Sequence, residues 1–102
     1  MSEDSFTDFV LAQLHDFCQL RCRSMFGGHG LYNAGTFFGI IHSGRLYLRT
    51  NERTRARYLA AGMQSFRPND NESLRYYYQV PADVVADTRR LVEWALDAVD
   101  GS

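Results

Sequence analysis

The residues best placed by type and spacing to do chemistry are Gly27-Gly28-His29-Gly30, two cysteines four apart, and arginines interleaved with tyrosines. Three glycines in four positions could cradle a phosphate on backbone N–H groups. The segment lacks the Lys-Ser/Thr ending of a P-loop and the Gly-x-Gly-x-x-Gly spacing of a dinucleotide fold. Leu31-Tyr32 continues it as a strand, not as a phosphate-facing helix. It therefore reads as a tight turn with close backbone packing. Cys18 and Cys22 could join His15 and His29 around zinc, but two thiols alone are too few ligands, and two small buried thiols are the simpler expectation. His15, His29 and His42 carry no Ser-His-Asp or Cys-His motif, and the carboxylates fall mostly at solvated positions of the end helices. No catalytic residue, cofactor or metal is expected.

The arginine and tyrosine pattern is the more suggestive one. Arg45, Tyr47 and Arg49 alternate along one strand face, and Arg75 and Tyr77 can continue that face on another strand. Such a mixture can bind phosphates and stack on bases. It is also what protein interfaces enrich. A plain solvated or helix-covered sheet face is the third possibility. These five residues form the candidate interaction face.

Charge is distributed unevenly. Residues 1–19 hold four acids and no base; residues 20–80 hold nine arginines against Glu52, Asp70 and Glu72; residues 81–102 are again net acidic. Every base is arginine, which suits either planar guanidinium contacts or a GC-rich codon bias. With 102 residues the chain is long enough for one hydrophobic core and too short for two, so residues 1–102 form a single domain. The sequence has no apolar run of about 18 residues, so no membrane-spanning helix or membrane partner is expected. The acidic start (Glu3, Asp4, Asp8) is unlike a secretory leader, and a cytoplasmic protein is the default.

The elements that must position these residues follow from periodicity. Ser5 and Asp8 suggest a cap for a helix over residues 5–18, with Phe6, Phe9, Val10, Leu14 and Phe17 on one stripe. Leu20–Phe26 alternates as a first strand. Strands then run toward and through Thr36–His42, and Ser43-Gly44 turns the chain into Arg45–Arg49, where Leu46 and Leu48 choose the core. Thr50 or Asn51 caps a helix to Ala61 that Gly62 ends, with Arg53 and Arg57 on its exposed face and Tyr58 and Leu59 as anchors. Met63–Arg67 and Leu74–Val80 read as strands, and residues 82–99 as one wide-faced helix with Pro81 in its first turn. The expected fold is α+β, two-layer, with a mainly antiparallel five-stranded sheet packed by helices in the order α-β-β-β-α-β-β-α.

These segments resemble the TfoX N-terminal domain family, the first part of bacterial competence regulators. Arg23-Ser-Met-Phe-Gly-Gly-His-Gly-Leu-Tyr32 is similar to its leading motif, with Arg23, Met25, Phe26, Gly27, Gly28, Gly30 and Tyr32 as its structural residues. Phe38-Gly-Ile-Ile, Leu46-Tyr-Leu-Arg49, Tyr58-x-x-x-Gly62-Met-x-x-Phe66 and Tyr77-Tyr78-x-Val80-Pro81 follow in order, so the resemblance spans about residues 5–99. It implies a fold similar to secretion chaperones, which often self-associate. It also implies a regulator without a catalytic site. The C-terminal helical domain of full-length regulators has no counterpart in these residues. The expectation is therefore a non-enzymatic adaptor acting by protein contacts, with a homodimer and an unidentified protein as partners; nucleic acid is the alternative, and a small enzyme the weaker one.

Overall fold

Short connections between apolar-alternating segments leave successive strands little choice but to run antiparallel. In the computed structural model, which describes residues 3–25, 28–66 and 75–100, one sheet runs in the order β1-β2-β3-β4-β5. The strands are β1 Leu20–Met25, β2 Gly28–Asn33, β3 Thr36–His42, β4 Arg45–Arg49 and β5 Tyr77–Gln79. Every neighbouring pair is antiparallel. Helices α1 Glu3–Gln13, α2 Glu52–Ala60, α3 Ala82–Val85 and α4 Thr88–Asp100 accompany it. The fold is α+β, as expected.

One face of the sheet carries the main core. Leu31, Phe38, Ile41, Leu46, Leu48 and Val80 meet Val10 and Leu14 of the N-terminal segment, Tyr58 of α2, Val84 and Val85 of α3, and Leu91, Ala95 and Ala98 of α4. The leucines of β4 do face this core. Strict alternation fails once, in β3: Leu31 pairs with Gly39 and Tyr32 with Phe37, leaving Phe38 as an extra residue. This bulge turns Phe38 into the main core while Phe37 joins the opposite face. Gly39 makes room on the core side, since a Cβ there would lie 3.2 Å from Leu48 Cδ2 and 3.3 Å from Leu31 Cδ1.

Local chemistry explains the boundaries. Ser43 and Gly44 take φ of 52° and 72°, the left-handed pair that a two-residue hairpin needs. Asn51 caps α2, its side chain accepting from Thr54 N while the Thr54 hydroxyl accepts from Asn51 N. Asp87 Oδ1 accepts from Arg90 N at 3.3 Å and starts α4 afresh.

That cap is why residues 82–99 are two helices, not one, and Pro81 stands just before α3, outside its first turn. The element order also differs in detail. Four strands precede α2, and Met63–Phe66 contributes only the Ser65↔Tyr78 bridge. Met63 N bonds Tyr58 O at the end of α2, so pairing with β5 can begin only at Gln64. Arg67 and Leu74 lie outside the described residues, as do Phe26 and Gly27. Ser5 sits inside α1, which starts at Glu3, so it is not the cap. Leu14 and Phe17 follow α1 in turns yet still reach the core. Cys18 is exposed and Cys22 half-buried, against the expectation of two buried thiols. Tyr58, 1% exposed, is core, and Leu59 is exposed. Arg57 is drawn off the solvent face: its guanidinium lies 4.4 Å from the Trp94 ring centre and 2.9 Å from Asp97 Oδ2.

Candidate interaction face

The sheet face turned away from the main core holds every member of the sequence-derived set that the strands carry. Register places Arg23, Gly30, Ile40, Tyr47 and Gln79 in one row across five strands, with Arg49 opposite Tyr77 in the next. The Tyr/Arg alternation of β4 therefore lands where the sequence places it. An interaction face has to be open, but the middle of this one is closed. Phe66, brought in by its bond to Tyr77 O, covers Tyr47 with ring centres 4.6 Å apart. Tyr47, Tyr77, Ile40 and Phe66 make a second small core. The Tyr77 ring lies tilted against Phe37 with centres 5.1 Å apart, and its hydroxyl donates to Phe37 O at 3.3 Å. Burial pushes the Tyr77 phenol up to about 12, a rise that the nearby Arg49 charge moderates.

The arginines of this set have separate fates. Arg49 Nη2 reaches Ala98 O at 3.1 Å and Val99 O at 3.4 Å, satisfying the last carbonyls of α4. Arg75 is exposed and lies over the Tyr76 ring at 5.1 Å, with Arg55 at 5.0 Å from the same ring. Arg45 is exposed and makes no ion pair among the described residues. It also rims an apolar groove of about 480 Å³ lined by Phe6, Phe9, Leu46, Val80 and Val85.

Sequence reasoning missed two exposed cations, Arg21 and Arg23, as members of this face. Both are exposed on β1, the edge of the sheet, and neither has a carboxylate partner among the described residues. Arg23 lies 5.7 Å from the ring centre of Tyr32, which stacks on Phe37 at 5.0 Å. The alternation Arg21-Cys22-Arg23 was the available signal; that this strand is an edge is not written in it.

The glycine motif is built for packing. Gly28 and Gly30 are buried residues of β2, and a Cβ on Gly28 would collide with the Ile41 carbonyl oxygen. His29 points to the opposite side of β2 from Tyr32's row, with Nδ1 buried and unpaired. His15 lies beside Asp16 and His42 beside Ser43, so the histidines are not gathered. Burial raises the Cys22 thiol, which disfavours thiolate chemistry. Among the described residues, no three His, Cys, Asp or Glu side chains cluster as metal ligands, and no helix is long and apolar enough to cross a membrane.

An antiparallel meander with helices on one face and an arginine-bearing free edge defines an α+β domain whose polar chemistry lies at its surface. The chain belongs to the TfoX N-terminal domain family, which it matches over residues 12–102. It is 42% identical over 45 residues to DNA transformation protein TfoX1 of Aliivibrio fischeri, a segment covering 44% of this chain and 22% of that protein.

Proposed function

We propose that this domain is a non-enzymatic cytoplasmic adaptor that works through protein contacts in the regulation of DNA transformation. The observation that carries the reading is the pair of exposed arginines at the sheet edge, Arg21 and Arg23, with Arg45 on the same face, none with a carboxylate partner among the described residues. Family membership supports the regulatory context. Guanidinium groups of this kind are favoured anchors at protein interfaces. Affinity capture of the chain from its own cells, with and without nuclease, tests the reading. A protein that co-purifies stoichiometrically after nuclease treatment is the expected result; recovery of nucleic acid alone rejects it.

Self-association is a further part of the proposal, motivated by the exposed Phe9 and Leu96 on α1 and α4. Light scattering that finds only monomer at high micromolar concentration excludes the homodimer. Nucleic acid is the second reading, favoured by half-buried Tyr32 and Phe37 beside Arg21 and Arg23. It requires binding that weakens steeply as salt rises. A flat salt response removes it.

A further inference from the structure

We propose that the outer edge of β1 is a docking site for an extended segment with alternating acidic residues, which adds to the sheet as a sixth strand. This rests on the adaptor reading and names the chemistry of the partner.

The hydrogen-bonding phase of β1 fixes where such a strand can attach. Ala34 N donates to Gln19 O at 3.2 Å, and the register continues from Leu20↔Asn33 to Met25↔Gly28. In an antiparallel ladder bonded and non-bonded pairs alternate, so Arg21 and Arg23 turn their backbone groups toward β2. Leu20, Cys22 and Ser24 turn theirs outward. Leu20 is already occupied on both sides, its N–H by Phe17 O and its carbonyl by Arg21 Nη1 at 3.1 Å. Cys22 and Ser24 therefore offer the open donors and acceptors, and no described strand lies beyond them.

Side chains select the occupant. Arg21 and Arg23 sit two residues apart on one side of the edge, both exposed and without a carboxylate partner among the described residues. A second copy pairing edge to edge would crowd four guanidinium groups together, and charges on an edge oppose that kind of self-pairing. An acidic strand turns the same charges into cross-strand attraction. Its acids must fall at alternate positions, beside Arg21 and Arg23. The residue between them faces the helix side, next to half-buried Cys22, and is suited to be apolar. The predicted pattern is acid–apolar–acid in an extended segment.

The test uses the full chain and a capped peptide of about ten residues, within the usual strand length, alternating glutamate and valine. Binding is read by anisotropy, and amide shifts and exchange by NMR. The expected result is slowed exchange at the Cys22 and Ser24 amides. The Arg21→Glu, Arg23→Glu double variant should bind at least about tenfold more weakly and instead take a lysine–valine peptide. A circular-dichroism melt matching the parent shows that the variant folds. Equal binding of a peptide N-methylated at alternate amides overturns strand addition, since only diffuse charge attraction would remain. Protection elsewhere on the sheet, or tighter binding of a thymidine oligonucleotide at the same amides, also overturns it. If the peptide fails while the double variant still captures the parent's protein partner, this inference and the arginine edge as the contact both fall, and only an adaptor that binds through another surface stands. If capture yields no protein, the adaptor reading falls, and the peptide result judges the edge by itself.

Discussion

Replacing Gly28 and Gly44 separately by alanine should distinguish two reasons for glycine in one sheet. At Gly28 the added methyl meets the Ile41 carbonyl oxygen, and it would lie 3.2 Å from both Ile41 C and His42 Cα. These are backbone atoms of the adjoining strand, so no rotamer change can relieve the contact. Relief requires β2 and β3 to part near the His29↔Ile41 pair. Overpacking strain of about 1–3 kcal/mol, with about 1 kcal/mol for a weakened ladder bond, gives a predicted loss of about 2–4 kcal/mol. Gly44 has φ of 72° and nothing within 4 Å of the new carbon, so its substitution should cost only the backbone preference, about 1–2 kcal/mol. Thermal melts should then fall by about 8–30 °C for Gly28→Ala and by about 4–16 °C for Gly44→Ala, with the first the larger in parallel experiments. Urea titrations of both variants provide the free energies. A Gly28→Ala chain as stable as Gly44→Ala would refute the packing argument for the glycine motif.

Three other perturbations follow from the same contacts. Asn51→Ala removes the side-chain half of the α2 capping box, the acceptor for Thr54 N, while its backbone N–H can still donate to the Thr54 hydroxyl, and should lower stability by about 1 kcal/mol in a urea melt. Arg49→Met removes the guanidinium bond to the Ala98 carbonyl, so stability should fall by about 1–2 kcal/mol and amide exchange should quicken in the last turn of α4. Alkali should weaken the fold: burial raises Tyr58 and Tyr77, the latter to about 12, so the folded chain keeps protons that the unfolded chain loses. Their contribution is complete below about pH 10, the ordinary phenol value, and is lost as pH climbs toward and beyond 12. Urea melts across that window should show the decline, and Tyr77→Phe should make it shallower.

Features governed by adjacent residues were legible in the sequence. Ser43-Gly44 specifies a left-handed turn, Asn51 a helix cap, and Leu46 with Leu48 the buried side of β4. Arg45, Tyr47, Arg49 and Tyr77 do share one side of β4 and β5, but Arg75 stands in a turn before β5, and the burial of Tyr47 and Tyr77 was not legible. Whether Tyr47 is open depends on Phe66, a residue 19 positions away whose placement comes from one backbone bond to Tyr77. No local pattern encodes that cover. The same holds for Arg57, whose partners Trp94 and Asp97 are on α4, and for Arg49, whose acceptors end that helix. Arg21 and Arg23 looked like ordinary strand residues because only the complete sheet order shows that β1 has no neighbour on one side among the described residues. Asp87 is the contrary case. Its capping signal was present in the sequence, but the continuous apolar stripe of residues 82–99 concealed it.

The central claim, a protein contact made through the arginine edge, is tested most directly by a photo-crosslinking residue in living cells. Ser24, exposed on that edge, is the reporting position, and Arg89, exposed on α4, is the control. Light should join Ser24→benzoylphenylalanine to a discrete protein that persists after lysis and nuclease digestion, with no such product from the Arg89 position. A crosslink to nucleic acid, or equal protein labelling from both positions, would contradict the account.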